Sequence, residues 1–160
     1  MDPFEPPGVT WTSISPRLAT ARRIVLVLVL GVPALPLVVA WLLLDTAWPL
    51  LGIVLLAAVG GWAWWVIGRQ VRAWGYAEHE DDLLVRKGVV FRSMVVVPYG
   101  RMQYVDVQAG PLDRRLGIAR VQLHTASAAT DAVIPGLPPE EAARLRDRLA
   151  RRGEARLAGL

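Results

Sequence analysis

The sequence predicts a membrane α-helical hairpin followed by a small α+β domain. Three observations lead to this fold class. The first half of the chain has two long apolar segments without charge, short runs of alternating apolar and polar residues follow, and one amphipathic segment lies near the C-terminal end. The composition is 54% hydrophobic, and most of this excess lies between Ile24 and Ile67. So uneven a distribution is typical of a chain with a membrane part and an aqueous part.

The predicted hairpin occupies residues 16–73, with uncharged spans at about 24–44 and 47–67. Each span is long enough to cross a hydrocarbon core of about 30 Å. Only Asp45 and Thr46 separate the spans, so the second span must return antiparallel to the first. The sequence therefore predicts a two-helix transmembrane hairpin.

The apolar segments have other interpretations, which the sequence disfavours. Two adjacent uncharged spans are uncommon in a soluble core, and the first run is longer than a signal-peptide h-region. Neither span contains an acidic or basic residue, so a small transporter or channel lacks the usual polar pathway. Ala57 and Gly61 have the small-xxx-small spacing that allows close helix packing.

Arginines flank the hairpin on both sides. They are Arg17, Arg22 and Arg23 before the first span, and Arg69 and Arg72 after the second. The connecting tip instead carries the acidic residue Asp45. By the positive-inside tendency, we expect a multi-pass protein of the cell (plasma) membrane with both sequence ends in the cytoplasm.

Tryptophans lie near the predicted ends of the spans. Trp48 falls near the outer interface, and the inner group is Trp62, Trp64, Trp65 and Trp74. Amphipathic Trp rings are enriched at membrane interfaces. Stacking on a ligand is the alternative role, and we favour the interfacial belt.

The composition argues against several function classes. The chain has no cysteine and two histidines, so we expect no metal site and no cofactor. From Trp74 onward, basic and acidic residues nearly balance, whereas a nucleic-acid binder concentrates positive charge on its folded domain. The sequence contains no nucleophile elbow, phosphate loop or His-Glu-x-x-His motif. We therefore expect neither nucleic-acid binding nor enzymatic activity.

Residues 74–153 have the pattern of antiparallel strands. The runs 83–87 and 89–98 predict two strands around a turn at Gly88. Further alternating or β-branched strand signals occur at Val105 and Val107, at Val121 and Leu123, and over 132–135. Such alternation is typical of strands with one buried face.

A helix is predicted to close this domain. Pro138 and Pro139 open it, and its first turn is acidic, which suits the helix dipole. One face carries Ala142, Leu145 and Leu149, and Gly153 is the predicted stop. We expect residues 1–15 to be a flexible tail and residues 154–160 to be a C-terminal tail.

One stretch resembles a known family. Residues 97–126 read VPYGRMQYVDVQAGPLDRRLGIARVQLHTA, which is similar to the signature of YdbS-type bacterial pleckstrin-homology (PH) membrane proteins. The matching positions are Pro98, Arg101, Met102-Gln103-Tyr104-Val105-Asp106, Gly110-Pro111-Leu112, Arg114 or Arg115, Gly117-Ile118 and Thr125-Ala126. The resemblance implies a PH-like domain, namely a bent antiparallel sheet or partial barrel closed by a C-terminal α-helix. It also implies a paralogous partner membrane protein that carries several such domains.

Five polar residues of this stretch are candidates for binding a headgroup or a partner. The guanidinium groups of Arg101, Arg114 and Arg115 match phosphate geometry. Gln103 and Asp106 are candidates for a recognition surface. The alternatives are structural: Arg101 pairs with Asp106 or caps strand ends, Asp113 offsets the two neighbouring arginines, and Gln103 and Asp106 satisfy backbone groups at bends.

These observations lead to two function hypotheses. The first is a membrane-anchored PH-like interaction module that assembles with partner membrane proteins, or with itself, in the bacterial envelope. The second is binding or sensing of anionic lipid headgroups at the inner leaflet by the arginines. A small transporter or channel component is less well supported, because the spans lack a polar pathway.

Overall fold

The computed structural model describes residues 9–44, 46–89, 91–126 and 131–158, without the side chains of 156–158. The chain divides into two compact units. The hairpin unit is Ala19–Arg69. The segment up to Leu18 and the chain from Gln70 onward together form the domain unit.

Two long helices contain the predicted spans. Helix α1 is Arg17–Leu44 and helix α2 is Trp48–Arg72. Their most apolar windows have mean hydropathies of 2.7 and 2.1, and those windows are 0% buried. Helices that are apolar all round need an apolar environment, and these two have the length to cross a bilayer. The prediction of two apolar N-terminal helices is confirmed, and Asp45 of the connecting tip lies outside the described residues.

The two helices of the hairpin approach each other at two glycines. A Cβ atom on Gly52 would lie 3.0 Å from Leu37 Cδ1, and one on Gly60 would lie 3.0 Å from Leu30 Cδ1. Among the described residues, nothing lies within 4 Å of the Cβ position of Gly61, so this hairpin does not use Gly61 for close packing. Successive helical residues point about 100° apart, so Gly60 and Gly61 cannot both face the partner helix.

The first sheet of the domain unit has four antiparallel strands in sequence order. They are β1 (Thr12–Ser13), β2 (Gly75–Glu78), β3 (Asp82–Lys87) and β4 (Ser93–Pro98). Thr12 pairs with Tyr76, so a strand before α1 joins a strand after α2. The sequence analysis missed β1 and assigned its residues to a tail.

The second sheet has three antiparallel strands. They are β5 (Met102–Gln108), β6 (Ala119–Thr125) and β7 (Ala132–Leu137). A 3-10 turn (Tyr99–Arg101) connects β4 to β5, and a short helix, α3 (Pro111–Arg115), connects β5 to β6. Helix α4 (Pro139–Ala158) follows β7.

The two sheets remain separate in the described part of the chain. The Ser15 N–H donates to Gly136 O at 2.9 Å, which links the segment after β1 to β7, but no ladder joins the sheets into a closed barrel. The predicted antiparallel strands and C-terminal helix are confirmed, whereas the partial barrel stays a prediction.

The core lies between the sheets and α4. Ala142, Leu145 and Leu149 are each 0% exposed, as their shared helix face predicts. They belong to a larger core whose largest fully buried members are Tyr76, Tyr99, Leu83, Ile118, Leu123, Ile134, Leu137, Leu145 and Leu149. Burial of this face explains why α4 folds onto the sheets.

Three boundaries differ from the sequence analysis. Residues 12–14 are not a free tail, because β1 pairs with β2 and Ile14 is buried. Strand β4 starts at Ser93, since the turn after Gly88 (φ +98°) extends to Arg92, and Val90 lies outside the described residues. Helix α4 continues through Gly153, which is buried in it.

Candidate functional site

A groove of about 310 Å³ lies between β5 and α4. Its lining comprises Met102, Gln103, Tyr104 and Val105 from β5, and Arg146, Leu149, Ala150, Gly153 and Glu154 from α4. Met102 and Leu149 are buried, whereas Arg146 and Glu154 are exposed. The groove therefore combines an apolar floor with a rim of both charges.

A bulge brings Gln103 to this groove. Met102 pairs with Thr125 and Tyr104 pairs with His124, so Gln103 opposes no residue of β6. Such an extra residue interrupts the ladder and changes the direction of the side chain. Gln103 is exposed and lines the groove. Of the two residues predicted to form a recognition surface, Gln103 is therefore the one that lies beside a cavity.

Strand β5 is an edge strand. It pairs with β6 on one side, and no strand of the described chain pairs with its other side. The outer edge of a sheet presents unpaired N–H and C=O groups that another extended chain can use. Backbone hydrogen-bonding capacity and a side-chain groove thus lie together at β5.

Asp106 lies farther along β5 and outside the groove. It pairs across the ladder with Gln122, and its Oδ2 accepts a hydrogen bond from Gln108 Nε2 at 2.8 Å. On the same strand pair, the rings of Tyr104 and His124 stack with centroids 4.3 Å apart. Gln103 and Asp106 therefore do not form one surface, although each is on β5.

Arg101 and the arginines of α3 lie at opposite ends of the β5–β6 hairpin. Arg101 precedes β5 and its carbonyl accepts the Ala126 N–H at 3.2 Å, whereas α3 follows the other end of β5. Seven residues of strand separate these ends by roughly 20 Å. The structure thus brings Arg114 and Arg115 together and leaves Arg101 apart. The same spacing along β5 prevents Arg101 from pairing with Asp106.

Asp113 is engaged away from the neighbouring arginines. Its Oδ2 accepts the Gly110 N–H at 3.2 Å, which caps α3, and accepts Arg120 Nη2 at 3.3 Å. Arg114 and Arg115 are exposed, and neither forms an ion pair with a described residue. The predicted neutralisation of these two arginines by Asp113 is therefore absent.

A third arginine reaches α3 from the start of α1. Arg17 Nη1 donates to Leu116 O at 3.4 Å, directly after Arg114 and Arg115. Arg17 is exposed and is the first residue of α1. This gives a cluster of three exposed guanidinium groups, which we call the α3 arginine cluster (Arg17, Arg114 and Arg115).

A polar network fixes α4 on the first sheet. Arg144 donates to Glu141 and to Glu78 Oε1 at 2.9 Å, and Arg148 donates to Glu78 Oε2 at 3.0 Å. The Tyr76 hydroxyl donates to Glu141 Oε1 at 2.6 Å. The hydrogen bond from Arg144 lowers the pKa of Glu141, and burial, followed by the adjacent Glu141, raises the pKa of Tyr76.

Farther along α4, Arg152 donates to the hydroxyl of Tyr99 at 2.8 Å and to His79 O at 2.7 Å. The Tyr99 hydroxyl in turn donates to His79 O at 3.0 Å. Burial raises the pKa of Tyr99, although Arg152 partly opposes the change. These bonds hold the part of α4 that lines the groove.

The sequence matches a known protein family over most of its length. Residues 22–153, most of the chain, match the family model described as Bacterial PH domain. The chain belongs to the bacterial PH domain family. It is also 40% identical over 80 residues to the UPF0699 transmembrane protein YdbS of Bacillus subtilis (strain 168). That match covers 50% of this chain and 49% of the relative, so the chain spans about half the length of the relative. No solved structure matches the chain significantly.

The predicted resemblance to YdbS-type PH membrane proteins is thereby confirmed. The relative is a transmembrane protein, and this chain has two helices of sufficient length and hydropathy to cross a bilayer. We therefore describe the chain as a membrane protein with a bacterial PH domain.

Two of the tryptophans predicted to lie at the membrane interface have cationic neighbours in the hairpin unit. Within the hairpin unit, Arg23 lies 4.5 Å from the ring centroid of Trp64, and Arg69 lies 4.9 Å from that of Trp65. Trp48 and Trp62 are 79% and 67% exposed. A cation over a Trp face gains from the ring quadrupole and suits an interface where the charge stays hydrated.

In the PH domain unit, Lys87 lies 6.0 Å from the ring centroid of Trp74. Sequence reasoning overlooked a similar pair, in which Arg86 lies 4.4 Å from the ring of Trp11. A tryptophan within a proline-rich segment was the available signal that this segment packs on the domain.

Sequence reasoning also overlooked most of the groove between β5 and α4, and the contact of Arg17 with Leu116. The α4 side of the groove combines the buried Leu149 and Gly153 with the exposed Arg146, Ala150 and Glu154, and no pattern in the sequence groups these residues. Arg17 looked like a membrane-flanking charge, and only the fold places it beside α3. Among the described residues, no group of three His, Asp or Glu side chains is arranged to hold a metal ion.

Proposed function

We propose that this protein is a non-enzymatic, membrane-anchored PH-domain module that assembles with a partner membrane protein. The observation that carries the proposal is the open edge of β5 beside the β5–α4 groove. An extended partner segment can add to a free strand edge through main-chain hydrogen bonds, while a groove selects its side chains. The resemblance favours a paralogous membrane protein with several PH domains, or a second copy of this chain, as partner.

The groove fits an extended segment with one apolar side chain. Its floor at Met102 and Leu149 is apolar, and a volume of about 310 Å³ accommodates one large side chain. The exposed amide of Gln103 offers a donor and an acceptor at the groove. The proposed bending of the two sheets into a partial barrel is supported by the Ser15–Gly136 hydrogen bond, and it would leave the β5 edge as the opening.

Substitutions at two alanines of α4 test the proposal. Ala150 is exposed and lines the groove, so Ala150→Arg fills the groove without disturbing the core. Ala155→Arg makes the same change at an exposed position of α4 that does not line the groove. Arginine is a good helix former, so both variants should fold.

Each full-length protein is extracted from its native membrane and analysed by native mass spectrometry. We expect a stoichiometric complex for the wild type and for Ala155→Arg, and loss of the partner for Ala150→Arg. The mass identifies a second copy or a different protein. A strictly monomeric wild type, or equal assembly in both variants, would refute the proposal.

We further propose that both helices cross the bilayer and that both flanks face the cytoplasm. The pairing of Thr12 with Tyr76 supports an even number of crossings, because one sheet contains the chain before α1 and the chain after α2. The arginines around the hairpin favour the cytoplasmic side. The absence of native cysteine allows single-cysteine variants at Thr46 and Glu80. In intact cells, an impermeant maleimide should label Thr46→Cys and leave Glu80→Cys unlabelled, and the reverse pattern would contradict this topology.

A second candidate function is contact with anionic lipid headgroups, and the α3 arginine cluster favours it. Arg114 and Arg115 are exposed without ion pairs among the described residues, and Arg17 belongs to the helix that enters the first span. Basic residues near an anionic surface contribute about 1 kcal/mol each. Removing two of them should therefore weaken the retention of anionic lipid roughly 30-fold.

The test uses the full-length chain in nanodiscs of phosphatidylcholine with phosphatidylglycerol. The isolated fragment from residue 74 would lack β1, which pairs with β2. Arg114→Ala with Arg115→Ala should lower the number of phosphatidylglycerol molecules retained in native mass spectra. Arg101→Ala with Arg151→Ala removes the same charge from two exposed arginines outside the cluster. Equal lipid retention in the two double variants would exclude a role of the cluster.

A further inference from the structure

The β3–β4 turn carries the most exposed large apolar side chain of the described domain unit. Phe91 is 89% exposed, compared with 57% for Tyr104, 39% for Val96 and 37% for Val133 in the same unit. A single exposed aromatic ring on a soluble surface is unremarkable. Phe91 differs from such cases in its position at one end of the sheet and in its basic neighbours.

The backbone of the turn is tightly packed at Gly88. Gly88 has φ +98°, a conformation that glycine adopts without strain. A Cβ atom at Gly88 would lie 1.9 Å from Phe91 O, so the backbone of residue 91 packs directly on the glycine. Phe91 thus contacts Gly88 through its backbone, while its side chain is left almost fully exposed.

The register places this turn at the end of the sheet that the chain enters from α2. Helix α2 ends at Arg72 and β2 begins at Gly75, which pairs with Arg86. The turn therefore lies at the end of the sheet where the chain enters β2. Lys87, the last residue of β3, lies 6.0 Å from the ring of Trp74, which connects α2 to β2.

The two ends of this sheet differ in charge. The end with Phe91 carries the basic residues Arg86, Lys87 and Arg92. The other end, roughly 20 Å away along the six residues of β3, carries the acidic residues Glu78, Glu80, Asp81 and Asp82, of which Glu78 is paired with Arg144 and Arg148 of α4. An anionic bilayer surface therefore attracts the first end more strongly than the second.

We propose that the β3–β4 turn is a membrane-insertion element, in which Phe91 enters the lipid interface while Lys87 stays at headgroup level. The occupant is the bilayer itself, since the apolar ring and the basic residues lie together at the end of the sheet where the chain enters β2. Amphipathic segments of this kind bury apolar residues about 5–10 Å into the boundary between headgroups and acyl chains. The insertion needs neither the β5–α4 groove nor the α3 arginine cluster, so it can fail or succeed independently of the proposed partner.

Single-cysteine fluorescence quenching tests the proposal, because the chain has no native cysteine. Full-length Phe91→Cys and Glu80→Cys are each labelled with an environment-sensitive dye and reconstituted in vesicles of phosphatidylcholine and phosphatidylglycerol. We expect lipid-borne nitroxides to quench the dye at position 91 severalfold more than at position 80. Aqueous iodide should show the opposite preference.

A second pair of variants removes the effect of the dye itself. Ser93→Cys carries the dye beside the turn, either with Phe91 retained or with Phe91→Ser. Lipid quenching at position 93 should fall when the phenyl ring is lost. Equal iodide quenching at positions 91 and 80 would overturn the proposal. Protection of position 91 from both quenchers would also overturn it, because that result means a protein contact and not lipid.

Discussion

The hydrogen bond between Tyr76 and Glu141 offers a direct test of how α4 is held on the PH domain. Tyr76 is 1% exposed, and its hydroxyl donates to Glu141 Oε1 at 2.6 Å. Tyr76→Phe removes this donor and keeps the buried ring. The two residues are far apart in the chain, since Tyr76 follows α2 and Glu141 is in the first turn of α4. The bond therefore reports on tertiary structure and not on the helix alone.

The expected cost of Tyr76→Phe follows from the surroundings of the carboxylate. A hydrogen bond to a charged group contributes about 1.5–3 kcal/mol. The Glu141 side chain is 28% exposed and keeps its bonds to Arg144, so water can partly replace the lost donor. We therefore take the lower value of about 1.5 kcal/mol. For a domain of up to 100 residues, this corresponds to a decrease in Tm of about 6–12 °C.

The assay is thermal unfolding of the full-length protein in detergent, followed by tryptophan fluorescence. Tyr104→Phe is the matched control, because Tyr104 is 57% exposed and stacks on His124 through its ring, not its hydroxyl. That control should change Tm by less than about 3 °C. If Tyr76→Phe is as mild as the control, the bond does not hold α4. In that case α4 would be held by the bonds of Arg144 to Glu141 and Glu78 and by apolar burial.

Three further predictions concern the same domain. Gly136 has φ +72° and its Cβ position lies 2.8 Å from Leu18 Cβ, so Gly136→Ala should cost at least about 1 kcal/mol of stability. Gly110→Ala, at an ordinary φ of −68°, should cost less in the same thermal scan, because only its capping position at α3 is affected. Arg144 lowers the pKa of Glu141 in the folded protein, so the ionised Glu141 stabilises the fold fully above its unfolded pKa of about 4.5. This stabilisation is lost as the pH falls through the lower folded pKa. Tm should therefore decrease below about pH 4.5, and Glu141→Gln should weaken that decrease. Leu145→Ala should cost about 2–5 kcal/mol because Leu145 is 0% exposed, and a change below about 1 kcal/mol in denaturant titration would contradict the packing of α4.

The fold class was predictable because the relevant patterns are local. An uncharged apolar run of helical length marks a membrane span, and alternation at Val121 and Leu123 marks a half-buried strand. The acidic first turn of α4 and the spacing of its apolar face predicted that helix correctly. Its end was wrong because Gly153 lies on the buried side of α4, where the absence of a side chain permits close packing near Tyr99 O, 3.7 Å from the Cβ position. A glycine in a sequence does not show whether it stops a helix or packs in one.

The candidate sites were predictable in residue type and not in arrangement. Guanidinium groups suggested phosphate binding, but the sequence placed Arg101 and Arg114 in one motif although β5 separates them by roughly 20 Å. Conversely, Arg17 and Leu116 are distant in sequence and in contact in the fold. The groove depends on the packing of α4 across β5 and on a one-residue bulge at Gln103, and both depend on tertiary structure.

The pairing of β1 with β2 makes the segment before α1 a structural part of the PH domain unit. Thr12 and Ser13 pair with Tyr76 and Gly75, so the chain on both sides of the helices belongs to one sheet. Ser15 then bonds to Gly136, and Leu18 packs against it, which also fixes the start of α1 to the second sheet. The domain unit therefore contains chain from both sides of the two helices, and a fragment that starts after α2 would lack β1 and the contacts of Ser15 and Leu18.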